Sequence, residues 1–402
     1  MASLEISAAL REMMRYRKFA GPTPRMLVGH SRYWVDDACI RAASRMGWQI
    51  HKTPLVMEGQ LSRDHLKSLF EALVTFKPDF ILTANLSGMD VDGVLARFYA
   101  DLEIPHATWF VDEPRSILME SKSYASDYAV AFTWERAYLP YLERAGFAAA
   151  VHLPLAADTS LFDSEPASTW SRGATFVGSS MTHFSKRELN RLAQWPELEK
   201  AVRDALDCGR VTRERFGEGL GAILDESILN AVDEHGRRQA ELVCFIEGTR
   251  RLRHGFATQL AGDGVEVYGD DGWQAVGIAF EPSVDYADGL PELYRSSKVN
   301  LNITSIQMPT AVNQRVFDCP VAGGFLLTDT QADLESLFDA PRETARYSGV
   351  DEARDLIRYY STHDAERVAI TRRARERILA EHTYENRLRT IENQLKTLYR
   401  DA

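Results

Sequence analysis

The sequence predicts an α/β protein built from two doubly wound parallel sheets. Short apolar runs alternate with amphipathic helical stretches along both halves of the chain, and 402 residues are too many for one ordinary hydrophobic core. Such alternation needs helical crossovers between parallel strands, and these crossovers are right-handed. We therefore expect two Rossmann-like domains.

The first half shows alternating strand and helix patterns. Its predicted strands are apolar runs bounded by Gly, Pro or charged residues, which is typical of buried strands. They are Met26–Gly29, Trp48–Leu55, Phe80–Ala84, His106–Val111, Tyr128–Thr133 and Ala149–Leu155. Helical spacing between them predicts helices at Asp36–Met46, Asp64–Phe76, Val91–Tyr99 and Tyr138–Arg144.

The second half opens with a short strand and a long, charged helical region before alternation resumes. The predicted strands are Thr175–Val177, Val265–Tyr268, Ile278–Glu281, Val299–Ile303 and Phe325–Thr328. Helices are predicted at Leu290–Ser296, Gln314–Ala322, Glu352–Tyr360, Glu366–Ala380 and Tyr384–Tyr399. These patterns predict an N-terminal domain at residues 1–165 and a C-terminal domain at 166–380, with its helical region at about 186–255. A last helix is expected at 381–402.

Composition and motifs exclude several classes of protein. The net charge of −11 argues against a general nucleic-acid-binding protein. The four Cys share no CxxC spacing, which argues against a zinc site or redox pair and fits a reducing cytoplasm. No P-loop, HExxH or GxSxG motif is present. The glycine run at Gly217, Gly219 and Gly221 follows no predicted strand, so we expect a turn between helices there.

The N-terminal segment does not have the pattern of a signal peptide. Its apolar residues are interrupted by Arg11, Glu12, Arg15, Arg17 and Lys18. We expect a short basic helix packed on the domain, with weak peripheral membrane contact as the alternative. No apolar run is long enough for a transmembrane helix, and a cytoplasmic location is expected.

Five stretches, in order and over nearly the whole chain beyond residue 100, resemble one family. They are HATWFVDEP (His106–Pro114), TFVGSS (Thr175–Ser180), VEVYGDDGW (Val265–Trp273), LYRSSKVNLNIT…NQRVFDCPVAGGFLLTD (Leu293–Asp329) and ILAEHTYENRL (Ile378–Leu388). In these motifs the chain resembles the CgeB-like group of glycosyltransferases. The resemblance implies the GT-B architecture: two facing Rossmann-like domains, a deep cleft between them and a last helix that crosses back to the first domain. It also implies transfer of a sugar from a nucleotide-diphosphate sugar to an acceptor hydroxyl, with no cofactor.

A departing nucleoside diphosphate needs its charge stabilised by backbone N–H groups and cations. The loop after the strand at Thr175–Val177 lets the backbone approach a phosphate, and two arginines in following helices are candidate cations. Surface ion pairs are the alternative for both arginines. The residues predicted to bind the donor are Gly178, Ser179, Ser180, Arg187, Asn313, Arg315 and Asp318.

Asp318 enters this set through the resemblance. The family usually has Glu at this position, and related enzymes bind the nucleotide ribose with it. A carboxylate can accept both hydroxyl protons of a vicinal diol. An exposed helical Asp is the alternative. Many retaining relatives carry a second Glu eight positions earlier, where this chain has Thr310. An inverting transfer is therefore favoured.

An inverting transfer needs a general base for the acceptor hydroxyl. Asp112 follows the fourth predicted strand and is the first candidate, with a helix N-cap before Pro114 as the alternative. His30, after the first strand, is the second candidate, with a structural or substrate-binding role as the alternative. Asn85 and Glu113 also follow strands and are predicted acceptor or sugar ligands.

No metal site is predicted. Asp270 and Asp271 lie in a glycine-bounded turn, where Asp is common for conformational reasons. The acceptor is expected to be a glycan, a protein or a small molecule. Two other interpretations stay open, a sugar-nucleotide epimerase of the same fold and a non-catalytic nucleotide- or sugar-binding module, because fold alone does not determine function.

Overall fold

The computed structural model describes residues 6–29, 34–53, 61–118 and 124–400. The chain forms two compact units, Met1–Pro154 with Tyr384–Ala402, and Leu155–Thr383. Each unit contains a six-stranded parallel sheet surrounded by helices, which confirms the predicted α/β class. Among the described helices, none is long and apolar enough to cross a membrane.

The sheet of the first unit has the strand order β2-β1-β3-β4-β5-β6. Its strands are β1 (Arg25–Gly29), β2 (Gln49–Thr53), β3 (Phe80–Ala84), β4 (His106–Phe110), β5 (Ala129–Thr133) and β6 (Ala149–His152). The strands β3, β4 and β5 are buried at every position. Burial on both faces makes a parallel strand a continuous apolar run, which is the pattern that the sequence shows.

The helices of the first unit precede or separate these strands. They are α1 (Ala8–Met14), α2 (Trp34–Arg45), α3 (Arg63–Phe76), α4 (Val94–Asp101), α5 (Pro114–Leu118) and α6 (Leu139–Ala145). The predicted start of α4 at Val91 was wrong by three residues. The carboxylate of Asp90 accepts hydrogen bonds from the N–H groups of Val94 and Leu95, both at 2.8 Å, and so fixes the first turn later in the chain.

The sheet of the second unit has the strand order β12-β11-β10-β7-β8-β9. Its strands are β7 (Arg172–Val177), β8 (Val265–Gly269), β9 (Phe280–Pro282), β10 (Ser297–Asn302), β11 (Leu326–Asp329) and β12 (Ala345–Tyr347). The edge strand β12 was not predicted. It is three residues long, too short to show a period in the sequence.

The helical region of the second unit has a core of its own. The helices of this unit are α7 (Thr182–Leu192), α8 (Pro196–Asp207), α9 (Arg213–Glu218), α10 (Glu226–Asn230), α11 (Glu234–Leu260), α12 (Leu290–Ser296), α13 (Arg315–Val321), α14 (Leu334–Leu337), α15 (Val350–Tyr360) and α16 (Asp364–Glu381). Buried side chains such as Leu192, Val202 and Val243 form the core among α7, α8 and α11. The far end of α11 packs on the sheet through Ala257 and Leu260. This long helix therefore connects the helical region to the sheet.

The last helix, α17 (Tyr384–Tyr399), belongs to the first unit. Its Glu385 forms an ion pair with Arg45 of α2 at 2.6 Å, and the Tyr399 hydroxyl donates to the carbonyl of Asp127 at 2.8 Å. Buried Arg387 donates to the carbonyl of Pro154 at 2.7 Å. These contacts hold α17 at both of its ends.

Parallel strands place their carboxyl ends along one edge of each sheet. In the first unit this brings together the loops after β3 and β4. In the second unit it brings together the loops after β7, β8, β10 and β11. These two edges contain most of the residues that the sequence singled out.

Candidate functional site

The loop after β7 is braced by one carboxylate. Asp270, after β8, accepts from the Ser179 hydroxyl at 2.7 Å, from the Ser180 N–H at 3.0 Å and from the Gly272 N–H at 3.1 Å. The Ser180 hydroxyl donates to it as well. Burial alone would raise the pKa of Asp270, but the hydrogen bonds from Ser180 and Ser179 lower it. Asp270 is therefore an ionised support for the loop.

The N–H groups of this loop are largely committed. The Gly178 N–H donates to the Tyr268 carbonyl at 2.9 Å, and the Ser180 N–H donates to Asp270. The Met181 N–H donates to the Ser179 hydroxyl at 3.1 Å. In this conformation these loop N–H groups already have acceptors, so the cations beside the loop are the groups that could bind an anion.

Arg315 is the first residue of α13 and lies next to the end of β7. Its Nη1 donates to the Asn302 side chain at 2.5 Å, and its Nη2 donates to the carbonyl of Val177. Its Nε is buried and has no hydrogen-bond partner. Asn313 donates to the same Asn302 oxygen at 2.8 Å, while its own Oδ1 is buried without a partner. Arg315 and Asn313, both predicted to bind the nucleotide sugar, thus each have a buried polar atom without a hydrogen-bond partner at the sheet edge.

Arg253, on α11, is a second cation at this edge that the sequence analysis missed. Its Nη1 donates to the Ser179 carbonyl at 2.8 Å, and its Nε is buried without a partner. Burial, and then the positive charge of Arg315, lowers the pKa of Arg253 to about 10. One signal could have found it: Arg253 lies seven positions after Ile246 and seven before Leu260, both buried on the apolar face of α11.

Arg253 and Arg315 share one electrostatic property. Within the described part of the chain, no carboxylate oxygen lies within 4.0 Å of either guanidinium. Asp270 is occupied by the loop after β7. Asp329, at the end of β11, is paired with a third arginine, Arg213, at 2.5 Å. Two partly buried positive charges therefore lie at the same sheet edge, each without a carboxylate in direct contact, which is an unfavourable arrangement that an anion would relieve.

Arg187 lies elsewhere on α7. Its side chain is 55% exposed and its Nε contacts Glu188 at 2.6 Å. The guanidinium also lies 5.2 Å from the centroid of the Phe184 ring. Arg187 is therefore engaged in an ion pair, as in its alternative, but the partner Glu188 is buried, with a side chain only 3% exposed, and is not a surface carboxylate.

Asp318 is buried on α13, with 1% of its surface exposed. Its carboxyl accepts hydrogen bonds from the Tyr286 hydroxyl at 2.7 Å and from the Gln314 side chain at 2.8 Å. Burial raises the pKa of Asp318 to about 8. The alternative of an exposed helical Asp is therefore wrong, and a ribose would have to replace one of these two hydrogen-bond partners to bind this carboxyl.

His254, one residue after Arg253, holds the other side of the loop. Its Nδ1 lies 3.1 Å from Nη1 of Arg250, and its Nε2 lies 3.0 Å from the Ser180 carbonyl. Arginine only donates, so Nδ1 accepts and Nε2 carries the proton. Burial, and then the charge of Arg250, lowers the pKa of His254. The neutral imidazole is the form that fits between its two neighbours.

In the first unit, the sheet edge brings Asn85 and Asp112 together. The Asn85 Nδ2 donates to Asp112 Oδ2 at 2.8 Å. The Asn85 Oδ1 accepts from the N–H groups of Val111 and Asp112 at 2.8 and 3.2 Å. Two backbone bonds thus fix the Asn85 amide, and its N–H group orients the carboxylate of Asp112.

Glu113 caps the helix that follows. Its carboxylate accepts from the N–H of Arg115 at 2.9 Å and of Ser116 at 2.7 Å, and it pairs with the Arg115 side chain at 2.6 Å. It is 4% exposed. The capping role considered for Asp112 is therefore filled by its neighbour. The other base candidate, His30, lies outside the described residues.

Among the residues that the structure describes, one group of side chains could hold a metal ion. His183, Asp270 and Asp271 bring ligand atoms within 4.8 Å of one another. However, the Asp270 carboxylate already accepts the hydrogen bonds of the loop after β7, and His183 contacts Asp271 directly at 2.5 Å. The side chains of His183 and Asp271 are 64% and 69% exposed, so water competes with an ion for both.

Two units with six-stranded parallel sheets, surrounding helices and polar strand ends define the GT-B glycosyltransferase fold. Residues 238–393 match the family model described as glycosyl transferase-like. This segment contains Arg253, Asn313, Arg315 and Asp318. The family match and the fold together support a glycosyltransferase. A search of the curated proteins finds no significant match.

Several solved structures share the fold at low sequence identity. Sucrose-phosphate synthase from Thermosynechococcus elongatus is 10% identical, with a TM-score of 0.54, over 94% of this chain and 100% of that one. HepE from Anabaena, solved in complex with UDP-glucose, is 9% identical, with a TM-score of 0.52, over 92% and 99% of the two chains. The β-glucosyltransferase of phage T4 is 9% identical, with a TM-score of 0.51, over 94% and 99%.

Proposed function

We propose that this protein is a CgeB-like glycosyltransferase that moves a sugar from a nucleotide-diphosphate sugar to an acceptor hydroxyl, with inversion and without a metal ion. The observation that carries the proposal is the pair Arg253 and Arg315. Both guanidinium groups lie at the carboxyl edge of the second sheet, and neither has a carboxylate partner among the described residues.

The diphosphate leaving group supplies the charge that this pair lacks. As the bond from the anomeric carbon to the phosphate oxygen breaks, negative charge develops on the diphosphate. A guanidinium donates two parallel hydrogen bonds to a phosphate and stays charged at neutral pH. Fixed cations can therefore replace a metal ion at this position. The Nε atoms of Arg253 and Arg315 are buried without a hydrogen-bond partner, and each would gain one if a small shift of its side chain brought it to a phosphate oxygen.

The donor is proposed to be a uridine nucleotide sugar. HepE, which shares the fold, was solved with UDP and with UDP-glucose. Asp318 would hold the ribose diol once the ribose takes the place of the Tyr286 hydroxyl. Gly178–Ser180 and Asn313 would border the diphosphate.

The first unit is proposed to supply the base. Asp112 follows a buried strand, and Asn85 holds one of its oxygens at 2.8 Å. A carboxylate in this position would take the proton of the acceptor hydroxyl as that oxygen attacks the anomeric carbon. Since Glu113 caps the next helix, a substitution at Asp112 tests chemistry rather than helix stability.

Titration calorimetry with UDP tests the donor site. Arg315→Ala is expected to weaken UDP binding by roughly 1.5–3 kcal/mol, the value of a hydrogen bond to a charged group. Arg203→Ala is the matched control, because Arg203 forms an exposed pair with Glu199 on α8. Unchanged UDP affinity in a folded Arg315→Ala protein would contradict the proposed site.

Product analysis tests the reaction itself. Incubation with UDP-glucose and a panel of glycan, peptide and small-molecule acceptors should yield glucose joined to an acceptor, with an inverted anomeric configuration by NMR. An isomerised nucleotide sugar without transfer would instead identify an epimerase. Binding without turnover on any acceptor would favour a nucleotide- or sugar-binding module.

A further inference from the structure

Asn302, the last residue of β10, is the point at which Arg315 and Asn313 are joined to the second sheet. It is fully buried, with 0% of its surface exposed. Its Oδ1 accepts hydrogen bonds from Nη1 of Arg315 at 2.5 Å and from Nδ2 of Asn313 at 2.8 Å. On the other side of the amide, Nδ2 donates to the hydroxyl of Thr328, on β11, at 2.9 Å. A buried side chain of this kind acts on a ligand only through the residues that it holds.

The orientation of the Asn302 amide follows from its neighbours. Arginine only donates hydrogen bonds, so the atom that faces Arg315 is the amide oxygen. The same oxygen requires Asn313 to present its N–H group. The main chain is fixed as well, because the buried Tyr347 hydroxyl donates to the Asn302 carbonyl at 2.5 Å. Together with the carbonyl of Val177, this fixed acceptor sets the direction of the Arg315 guanidinium.

Among the described residues, the groups that surround the Arg315 guanidinium are neutral. They are the Asn302 amide oxygen, the Val177 carbonyl, the ring of Phe176 and the hydroxyl of Tyr294. The charge of Arg315 also acts on Asp318, three positions further along α13, but burial raises the pKa of Asp318 to about 8. That carboxyl is therefore mostly protonated at neutral pH. Neutral acceptors orient a guanidinium and leave its positive charge in place.

A carboxylate at position 302 would change this balance. Aspartate has nearly the shape of asparagine, and one of its oxygens would take the place of the amide oxygen beside Nη1 of Arg315. The guanidinium would keep its direction, but it would gain a charged partner inside the protein. The neutral amide thus provides direction without providing a counter-ion.

We propose that Asn302 is a positioning residue of the diphosphate site, which directs Arg315 and, because it is neutral, leaves the positive charge of the arginine for the ligand. This inference rests on the proposed function, in which Arg315 binds the diphosphate of a nucleotide sugar. The sequence contains no local signal for this role, because Asn302 reads only as a polar residue at the end of a strand.

Calorimetry of the full chain with UDP, inorganic pyrophosphate and uridine tests the role of the neutral charge. Asn302→Asp is expected to raise the dissociation constants of UDP and pyrophosphate by about ten- to hundred-fold. Uridine has no phosphate, so its affinity should not change. Asn302→Ala removes the acceptor but adds no charge, so it should weaken UDP binding less than Asn302→Asp does. A structural role predicts the reverse order, because aspartate preserves the shape of the side chain and alanine does not.

A double-mutant cycle tests whether Asn302 acts through Arg315. In the Arg315→Ala background, Asn302→Ala should change UDP affinity by less than about two-fold, since the group that it positions is gone. Asn300→Ala is the matched control, because Asn300 is also buried and lies two residues earlier on the same face of β10. Its amide donates to the carbonyls of Tyr294 and Phe325, and its loss should leave UDP affinity unchanged.

The positioning role and the proposed function fail in different ways. If Arg315→Ala weakens binding of UDP and pyrophosphate while both Asn302 variants bind them like the wild type, the positioning role is overturned and the donor site stands. Equal losses of uridine and UDP affinity in Asn302→Asp would also overturn the role. If Asn302→Asp does not fold, additive losses in the cycle with Asn302→Ala would overturn it. Wild-type binding of both ligands by Arg315→Ala would remove Arg315 from the site, and both proposals would be wrong.

Discussion

Replacing Arg253 with methionine should have opposite effects on stability and on donor binding. The substitution keeps an unbranched side chain on α11 and removes the charge beside Arg315. Binding of a nucleoside diphosphate should weaken, because one of the two unneutralised cations is gone. The unfolding free energy of the unliganded protein should not fall to the same extent, because the charge of Arg253 itself destabilises the folded state.

The magnitudes follow from the surroundings of Arg253. Its pKa is lowered from 12.5 to about 10, and at about 1.4 kcal/mol per pKa unit its charge disfavours the folded state by roughly 3 kcal/mol. The hydrogen bond to the Ser179 carbonyl, whose loss leaves a partly buried acceptor unpaired, offsets about 1–3 kcal/mol of this. The expected change in unfolding free energy is therefore between about zero and 2 kcal/mol in favour of the variant.

The loss of affinity is larger and opposite in sign. A hydrogen bond to a charged group contributes roughly 1.5–3 kcal/mol, which corresponds to a dissociation constant raised about 12- to 160-fold. At a UDP concentration about 100 times the wild-type constant, ligand stabilises the wild type by roughly 2.7 kcal/mol. The same concentration should stabilise Arg253→Met by only about 0.3–1.3 kcal/mol.

Urea unfolding with and without UDP, together with calorimetry, measures both quantities. Arg203→Met, on the surface of α8, controls for the loss of an arginine. A variant that unfolds more easily without ligand yet keeps the wild-type response to UDP would refute the reasoning, because it would make Arg253 a structural residue. A variant that loses both stability and its response to UDP would show that the hydrogen bond to Ser179 contributes more to stability than the charge of Arg253 costs.

Four further outcomes are expected. Asp112→Asn should lower transfer by about 10²–10⁴-fold with nearly unchanged UDP affinity, and near-native turnover would exclude Asp112 as the base. A chelator, or His183→Ala, should leave transfer unchanged; a loss restored by a divalent ion would contradict metal independence. Because burial and Arg250 lower the pKa of His254, its neutral form stabilises the fold above pH 6.5, and this contribution is lost as pH falls through the lowered value. In His254→Gln, the free energy of unfolding measured in urea should therefore depend less on pH between about pH 5 and pH 7, the range around the ordinary pKa of histidine. An unchanged slope would count against this role of His254. Burial raises the pKa of Asp318 to about 8, so its contribution is complete below its ordinary value of 3.8 and is lost as pH rises through about 8. In Asp318→Asn, the free energy of unfolding should fall with rising pH by at least about 1 kcal/mol less than in the wild type. Parallel pH profiles of the two proteins would contradict this prediction.

The order of strands and helices could be predicted because it is encoded locally. A strand buried on both faces, such as β3 or β4, must be apolar at successive positions, and a helix on its surface must repeat its apolar face. The loops that follow such strands must meet at one edge of a parallel sheet, so Asn85 and Asp112 could be singled out before their hydrogen bond was known. Among the described strands, the short edge strand β12 lacks such a signal.

The partner of each charged side chain could not be predicted in the same way. Arg253 contacts Ser179, 74 positions away, across a helical region whose packing has no signature in the spacing of charges. Arg187 and Arg315 were both predicted as cations for the diphosphate. Arg187 is exposed and pairs with buried Glu188, whereas Arg315 lies partly buried at the sheet edge. Asp318 is a buried acid that accepts a hydrogen bond from Tyr286, 32 positions away.

Local sequence patterns are enough to predict the α/β class, the alternation of its elements and the strand ends at which polar residues collect. The folded structure specifies which of those residues have no partner of opposite charge. Glu113 caps a helix, Asp270 accepts the hydrogen bonds of a loop, and Asp329 pairs with Arg213. Among the described residues, Arg253 and Arg315 have no carboxylate partner. Periodicity records whether a segment is buried. Electrostatic neutrality depends on which distant segments meet, and only the folded chain specifies that.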